Sequence, residues 1–535
     1  MTLAVPMEND DTARGAVIRD VAASRATAWW PLALVGVAAL ALAVGLAIVD
    51  ALPVGVVADD SFYVILARAL ASGEGYRYLN VPGHPAGTHF PPGYPAILAL
   101  MSFVAPAFPA SVVAFKALNA AFLAAAAVFV ARLLRTRLGM GAGWSAGLGA
   151  VTAVSVPLLI LSNLVLSEMC FIAIALGLLL ALERLADEPA PAWRVLLLGA
   201  AIGACALVRT HGVVLVPAAA LVLVTRRRWR DAALLAATAF ACLLPWQLWT
   251  ARHGGTLPSP MLGMYDSYAS WWMHGLRTIG PSMIPATIAK TTAETCAMLA
   301  VLFSPMRGSA AHAVTLAALA SLAVAACATA WRRMPVTLLF LAGYLAIVLV
   351  WPFQTARFVW TVWPLLLALV AAGGWAAFSR PTWRVALRVA LAAAFVWVAV
   401  GYGAYEVRGI RGEWWSSIPR ANTPRIATVV RHVASRTATD EVVATDYEGA
   451  VYLYTGRKAL PIITLTPAQY LRDYSSRENA MEGLLPILDA YPVRTVVAGA
   501  GRALDAARYL ATQSPARLVL REQFDGGAAF TATPR

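Results

Sequence analysis

Charged residues are scarce in this 535-residue chain. They make up 13% of it, whereas 60% of the residues are hydrophobic. Soluble domains usually carry roughly a quarter charged residues. The composition therefore excludes an ordinary soluble protein and predicts an α-helical polytopic membrane protein, with room for about eleven spans and one soluble domain.

Cysteines are few, and internal repeats are absent. The five cysteines all fall in apolar stretches without close pairs, which excludes metal-type spacing and a disulfide framework. The sequence has no repeat of the kind that marks many transporter halves. These absences leave the membrane part without a cysteine-based site.

The net charge is +14, which in a soluble protein would point to nucleic acid. Here much of the arginine lies in short clusters between apolar runs. That is the positive-inside pattern, which orients a membrane protein and does not imply that the arginines bind a ligand. Nucleic acid is therefore not an expected partner. The clusters are Arg132/Arg135/Arg137, Arg226/Arg227/Arg228/Arg230, Arg332/Arg333 and Arg380/Arg384.

The clusters also predict the course of the chain. The tail at 1–29 is expected in the cytoplasm, and the apolar run after it is a retained anchor because no small-residue cleavage site follows. If the short segment 95–106 lies in the interface, every later cluster falls on the cytoplasmic side. This gives about eleven spans, with thirteen as the upper limit. The spans are 31–49, 111–131, 143–161, 166–184, 194–207, 211–224, 231–250, 309–330, 335–351, 357–377 and 383–403.

An odd number of spans places the C-terminal part, 411–535, outside, together with two long outer loops at 50–110 and 251–308. Within the first loop, 60–71 has the spacing of an interfacial helix. Segment 283–303 is moderately apolar and is also expected in the interface. The C-terminal part is predicted to be a small α/β domain with a helix at 425–435 and strands at 441–444, 494–498 and 516–521.

Two adjacent acids, Asp59 and Asp60, follow the first span in the outer loop. Placing acids at such a position costs free energy, and such acids are often functional. The alternative is a helix N-cap with a first-turn acid, since a helix is expected directly after them. The two interpretations are compatible, because a helix start would also fix the carboxylates.

A third acid, Glu168, is expected at the outer mouth of a later span. Pairing within the bundle competes there with a catalytic role. Glu183, Asp187 and Glu188 fall on the cytoplasmic side and are interpreted as solvated charges.

Basic groups at the same outer face could hold a phosphate. Arg209 and His211 lie between two short apolar segments, and Arg357 begins a later span. Arginine suits bidentate phosphate contacts, although snorkelling to the interface is the competing interpretation for each one. His89, in the first outer loop, could contact the phosphate or a metal, but a lone loop histidine is usually neither. Paired tryptophans such as Trp271/Trp272 fit an interface belt first and sugar stacking second.

The first outer loop also carries Ala67-Arg68-Ala69-Leu70, Gly73-Glu74-Gly75-Tyr76 and Phe90-Pro91-Pro92-Gly93-Tyr94-Pro95. Together with the acidic pair, this pattern resembles the GT-C superfamily of integral-membrane glycosyltransferases. It is most similar to the bacterial branch related to protein O-mannosyltransferases and lipid A aminoarabinose transferases. Ser167-Glu168, Arg357-Phe358 with Trp363-Pro364, and Tyr454-Thr455-Gly456-Arg457 resemble later motifs of that branch.

The resemblance implies a polyprenyl-phosphate-linked sugar donor and catalysis on the periplasmic face of a bacterial inner membrane. It implies Asp59 as general base, with Asp60 and Glu168 shaping the site or contacting a divalent metal, whose requirement stays open. Phe90 stands where some relatives have a phosphate-binding lysine, so Arg209, Arg357, His89 or His211 would take that role. The implied substrate-loop residues are Tyr63, Pro91, Pro92 and Tyr94.

The sequence thus predicts an inverting glycosyltransferase that moves a hexosyl or pentosyl group to a glycan, lipid or protein acceptor. The alternative is a transporter or flippase for a lipid-linked or polar solute. A transporter is expected to carry charges near the bilayer midplane and mostly short loops. The acids at one face, the long outer loops and the appended domain favour the enzyme.

Overall fold

The computed structural model describes residues 29–533, so the predicted cytoplasmic tail lies outside the described residues except for its last position. The chain is a multi-pass α-helical membrane protein with a small C-terminal sheet. Its first helices are α1 (Trp30–Ala47), α2 (Asp59–Ala71), α3 (Gly93–Ser102), α4 (Ser111–Leu133), α5 (Ala142–Val154), α6 (Val156–Ser162), α7 (Glu168–Asp187), α8 (Ala192–Val208), α9 (Leu215–Thr225) and α10 (Trp229–His253).

The helices in the second half of the helical part differ in length. They are α11 (Leu262–Tyr265), α12 (Tyr268–Ile279), α13 (Met283–Phe303), α14 (Ser309–Ala330), α15 (Pro335–Val350), α16 (Thr355–Trp360), α17 (Trp363–Ser379) and α18 (Val385–Arg411). A π-helical turn, Leu134–Leu138, extends α4, and a 3₁₀ turn, Thr210–Val214, precedes α9.

Within residues 29–533, seven helices are long and apolar enough to cross a membrane, namely α1, α4 with its π turn, α7, α10, α13, α14 and α18. The shorter apolar helices are α3, α8, α9, α15 and α17, and α5 and α6 form one bent pair. With α5 and α6 taken together and α3 and α13 left out, these helices overlap in sequence with the eleven predicted spans.

The bend between α5 and α6 is 52°. Pro157 at the second position of α6 favours a new helix start there, because proline lacks the N–H that would continue α5. The freed N–H of Val156 donates to the carboxylate of Glu406, at 2.8 Å. A buried acid of α18 thus satisfies the broken span.

Helix α13 is long enough to span, but its contacts place it elsewhere. The Thr291 hydroxyl donates to the carbonyl of Leu349, near the end of α15, at 2.7 Å. The ring of Phe303 stacks on Trp363, the first residue of α17, with 5.4 Å between centroids. Both partners lie at the same end of the bundle, so α13 lies across that end. This agrees with the interfacial position expected for segment 283–303.

The opposite end, which we call the arginine face, collects the arginine clusters. Arg137 contacts Asp187 at 2.5 Å, and Arg226 contacts the same carboxylate at 2.9 Å. Arg137 also donates to the main-chain oxygen of Arg333 at 2.9 Å. Clusters far apart in sequence therefore meet at one end, as the positive-inside pattern requires.

One charge of this face differs from the prediction. Glu183 is fully buried, and its carboxylate accepts the backbone N–H of Thr337 at 2.7 Å and its hydroxyl at 2.8 Å. The first turn of α15 has N–H groups without intrahelical partners, and Glu183 satisfies one of them. Its interpretation as a solvated loop charge is wrong.

The C-terminal part holds one five-stranded sheet. Its strands are β1 (Val443–Thr445), β2 (Ala459–Pro461), β3 (Thr495–Gly499), β4 (Leu518–Phe524) and β5 (Gly527–Ala532). Their order is β2-β1-β3-β5-β4, in which β1 pairs in parallel with β2 and β3 while β5 pairs antiparallel with β3 and β4. The sequence predicted β1, β3 and β4 but not β2 or β5. The helices are α19 (Ser417–Arg436), α20 (Glu448–Thr455), α21 (Pro467–Leu471), α22 (Ser476–Glu478), α23 (Leu485–Ala490) and α24 (Arg502–Gln513).

Helix α20 docks this sheet unit onto α2. A Cβ at Gly449 would lie 2.0 Å from the Ser61 Oγ, and a Cβ at Gly55 would lie 2.6 Å from that of Ala450. Gly55 also has a φ of +97°, which favours glycine. Most of α2 is buried under protein, so the predicted interfacial helix is an inner element of the bundle. It lies at the end opposite the arginine face, which we call the site face.

Candidate functional site

The first acid of the pair, Asp59, begins α2 immediately after a strained turn. Ala58 has φ 61° and ψ −64°, and the N–H of Asp59 donates to the carbonyl of Val57 at 2.8 Å. This is a γ-turn of the rare positive-φ type. Such strain costs about 1–3 kcal/mol and concentrates at functional sites. The turn sends the Asp59 side chain into a cavity.

Asp60 points elsewhere, although it is the next residue. Its carboxylate is buried and accepts the N–H of Ser61 at 2.9 Å. Burial raises the pKa of Asp60 to about 6, while hydrogen bonds from the backbone of Gly55 and Val56 oppose that rise. Asp60 therefore holds the loop before α2, and of the two acids only Asp59 is open to the cavity. Both acids lie in the first turn of α2, but neither side chain caps the helix, since the N-cap residue is Ala58.

Glu168, the first residue of α7, is fully buried beneath the cavity. Its Oε1 lies 3.0 Å from Nη1 of Arg209 and also contacts Nε of Arg357. Arg209 donates in addition to the Ser167 hydroxyl at 3.1 Å. The pairing role weighed for Glu168 is the one its contacts favour, and the acid positions both arginines.

Arg357 joins this buried pair to the open acid. Its Nη2 lies 2.7 Å from Oδ2 of Asp59. One guanidinium therefore contacts both predicted catalytic carboxylates, Asp59 and Glu168. With Arg209, these three side chains form a cluster of two acids and two arginines at the cavity wall.

His89 lines the same cavity and has a defined tautomer. Its Nδ1 lies 2.8 Å from the carbonyl oxygen of Asp266, which can only accept, so Nδ1 carries the proton. Burial lowers the pKa of His89, which favours the neutral ring. Nε2 is then an acceptor. This differs from the predicted phosphate contact, which would need a donor.

His211 also lines the cavity but is held by rings. Its imidazole lies 4.9 Å from the ring of Tyr344 and 5.8 Å from that of Phe358, between centroids. Its Nε2 is buried and has no partner among the described residues.

The predicted substrate-loop residues divide into two groups. Tyr63 and Pro91 line the cavity, whereas Pro92 and Tyr94 do not. The Tyr63 hydroxyl lies 2.9 Å from that of Ser167, and its ring packs edge-on against Tyr94 at 5.1 Å. Tyr94 therefore supports Tyr63 from behind.

The cavity measures about 300 Å³ and has walls that sequence reasoning largely missed. Several aromatic side chains of the second outer loop and later helices face it, and Leu465 reaches it from the C-terminal part. The Trp271 indole donates to the Leu465 carbonyl at 2.7 Å, which ties that part to the second loop. In the sequence, the paired tryptophans were the available signal for these aromatic walls, although an interface belt explained them equally well. The unpredicted aromatic lining residues are Tyr268, Trp351, Phe353 and Phe358.

Asp60 and Glu168, the predicted metal contacts, do not fit a divalent cation. Glu168 is shared by two guanidinium groups, which would repel a cation. Asp60 accepts backbone N–H groups and does not line the cavity. Across residues 29–533, no group of three or more His, Cys, Asp or Glu side chains is arranged to hold a metal ion.

The arrangement combines one carboxylate, two fixed guanidinium groups and aromatic walls around a single cavity. A carboxylate can take a proton from a hydroxyl group. Guanidinium groups can hold a phosphate that gains charge. Aromatic rings supply flat apolar faces of the kind that pack against sugars or lipid.

The overall architecture is similar to solved membrane glycosyltransferases. ArnT from Cupriavidus metallidurans bound to undecaprenyl phosphate aligns with a TM-score of 0.53 at 12% identity, over 95% of this chain and 99% of that one. The archaeal oligosaccharyltransferase AglB from Archaeoglobus fulgidus, in complex with an inhibitory peptide and a dolichol-phosphate, aligns with a TM-score of 0.53 at 12% identity, over 94% and 74%. No family model and no curated protein matches the sequence. The structural likeness shows that the chain shares the overall fold of these two proteins.

Proposed function

We propose that this membrane protein transfers a sugar from a polyprenyl-phosphate-linked donor to an acceptor in the cavity of the site face. The observation that carries the proposal is the contact of Arg357 with both Asp59 and Glu168 at that cavity. It puts a proton acceptor beside a phosphate-binding cation. The fold supports the proposal, since the two similar structures hold undecaprenyl phosphate and dolichol-phosphate.

Asp59 is proposed as the general base. It removes the proton of an acceptor hydroxyl as the oxygen attacks the anomeric carbon of the donor sugar. The bond from that carbon to the phosphate oxygen breaks, and its electron pair stays on the phosphate. Among residues 29–533, Asp59 is the one acid that lines the cavity. A single displacement with inversion therefore fits better than a covalent intermediate on a second carboxylate.

Arg209 and Arg357 are proposed to stabilise the departing polyprenyl phosphate. Both line the cavity, and Glu168 holds them from below. Their positions are set before the donor arrives, so little reorganisation accompanies charge development. When the phosphate binds Arg357, it competes with Asp59 for the guanidinium and leaves the carboxylate free to accept a proton.

His89 is proposed to contact the sugar or the acceptor. Its neutral Nε2 can accept a hydrogen bond from a hydroxyl but repels phosphate oxygens. Tyr63 and Pro91 would shape the same region. This assignment moves His89 from the donor phosphate to a hydroxylated group.

The C-terminal unit, 411–535, is proposed to help select the acceptor, because Leu465 forms part of the cavity wall. We further propose that the site face lies on the periplasmic side of a bacterial inner membrane. The support is the arginine face at the other end of the bundle, since arginine-rich loops remain in the cytoplasm.

The proposal is tested by mass spectrometry of lipid-linked sugars in cells with and without the gene, followed by assay of the purified protein. Deletion should cause one polyprenyl-phosphate sugar to accumulate. The purified protein, given that lipid fraction and an envelope extract, should release free polyprenyl phosphate. A transporter or flippase would also alter lipid pools but would break no covalent bond. Accumulation without release would therefore reject the transferase.

A further inference from the structure

A second cavity lies at the arginine face, away from the Asp59 site. It measures about 310 Å³ and opens between the ends of α4, α14 and α17. Its polar and charged side chains come from the ends of α14 and α17, and none of its lining residues is acidic. They include Gly139, Thr329, Arg333, Ser379 and Arg380.

The two arginines have unused hydrogen-bonding capacity. Arg333 donates to the carbonyl of Leu138 at 2.8 Å, which uses one of its five N–H groups. The half-buried Arg380 has no side-chain hydrogen bond or ion pair to any residue in the described range 29–533. Two guanidinium groups thus face a cavity without a counter-charge, and an anion with several acceptor oxygens would satisfy both.

The acids of this face do not supply that charge. Asp187 is shared by Arg137 and Arg226 at 2.5 Å and 2.9 Å. Glu183 is buried against Thr337. Orientation in the membrane explains why arginines gather here, but not why two of them border a cavity.

Exposed aromatic side chains flank the cavity. Phe378 next to Ser379 is 60% exposed, and Trp331 at the end of α14 is 53% exposed. The ring of Trp375, which lines the cavity, lies 6.3 Å from that of Trp144 between centroids. Tryptophan is enriched at the depth at which lipid headgroups meet acyl chains. The surroundings therefore favour a lipid over a free anion.

We propose that this cavity binds the phosphodiester headgroup of an anionic phospholipid, with Arg333 and Arg380 on the phosphate and Ser379 and Thr329 supplying hydroxyl groups. The acyl chains lie along the exposed aromatic side chains. Basic pockets between membrane helices recognise lipids in this way. The site is independent of the transferase chemistry.

The test is native mass spectrometry of the purified full-length protein in neutral detergent with added phosphatidylglycerol or phosphatidylcholine of equal chain length. Phosphatidylglycerol should bind preferentially. Arg380→Gln should weaken its affinity at least about tenfold, the scale of one charge-assisted hydrogen bond. Because the Arg380 side chain makes no hydrogen bond or ion pair within residues 29–533, this variant should fold. The matched control is Arg431→Gln, on the exposed surface of α19.

Three outcomes overturn the proposal. The first is equal phosphatidylglycerol binding by wild type and Arg380→Gln, and the second is an equal loss in Arg431→Gln. The third is displacement of phosphatidylglycerol by millimolar inorganic phosphate, which would make the ligand a free anion. Titration with undecaprenyl phosphate distinguishes the two cavities, because Arg380→Gln should leave its binding unchanged.

Discussion

The guanidinium of Arg357 lies 2.7 Å from the carboxylate of Asp59. These residues are almost 300 positions apart in the sequence, and each lies in the first turn of its own helix, Asp59 in α2 and Arg357 in α16. A base that is paired with the phosphate-binding cation is available only when the phosphate takes that cation. The contact therefore couples donor binding to acceptor activation in the proposed mechanism.

Glu168→Gln should destabilise the protein. The substitution leaves Arg209 and Arg357 without their shared buried carboxylate, and breaking a buried pair on one side costs about 3–5 kcal/mol. The melting temperature in detergent, followed by tryptophan fluorescence, should fall by several degrees. The control is Glu413→Gln, whose pair with Arg420 is exposed and is worth about 0–1 kcal/mol. Equal melting temperatures for both variants would show that the contacts of Glu168 with the two arginines do not stabilise the fold.

Arg209→Lys and Arg357→Lys should each weaken binding of undecaprenyl phosphate about tenfold or more. Lysine keeps the charge but lacks the planar fork that contacts two oxygens at once. Isothermal titration in detergent measures the effect, with the exposed Arg431→Lys as the control. Unchanged affinity in both cavity variants would place the phosphate elsewhere.

His89→Phe should leave undecaprenyl phosphate affinity within about twofold at pH 7.5 and still reduce sugar transfer, because neutral Nε2 accepts hydrogen bonds and repels phosphate oxygens. The control is His253→Phe, since His253 also places Nδ1 on a main-chain oxygen, that of Trp249, at 2.9 Å. His253 does not line the cavity. A tenfold loss of phosphate affinity in His89→Phe alone would restore the predicted phosphate role.

Glu448→Gln should flatten the pH dependence of stability. Burial raises the pKa of Glu448 from 4.5 to about 7. The folded protein therefore binds more protons than the unfolded chain between these values, and stability contributed by the protonated form is lost as pH rises from about 4.5 to 7. The loss is on the order of 3 kcal/mol. Melting temperatures at pH 5 and pH 8 should differ more in wild type than in Glu448→Gln. An equal difference in the two proteins would contradict this.

The long apolar helices could be predicted from the sequence because apolar length marks them, and the arginine clusters indicate which of their ends lie together. Segment 283–303 is long enough to span, but its moderate apolarity and its Lys290 and Glu294 predict an interfacial position. Its contacts place α13 across the site face.

The sequence could predict that Asp59, Arg209 and Arg357 lie at the same face of the protein, but not that they meet in one cluster. Their contacts depend on how α2, α8 and α16 pack, which no local pattern contains. The divergence of Asp59 from Asp60 depends on the γ-turn at Ala58, and alanine gives no sequence signal for a positive φ.

Strands β2 and β5 were missed for a related reason. Strand β2 has three residues and ends in Pro461, and β5 is rich in glycine and alanine, which are uncommon in strands. Both exist because neighbouring strands pair with them. Tertiary pairing overrides their weak local preference.

The most direct test of the account is release of polyprenyl phosphate by purified Asp59→Asn, given the lipid-linked sugar that accumulates in deletion cells. The control is Asp473→Asn, which removes an exposed carboxylate paired with Arg502 at 2.8 Å. The account predicts a loss of at least about a hundredfold for Asp59→Asn, the scale of general-base catalysis, with undecaprenyl phosphate binding retained and the control at wild-type rate. Release by Asp59→Asn within a few-fold of wild type would contradict the assignment of Asp59 as the base.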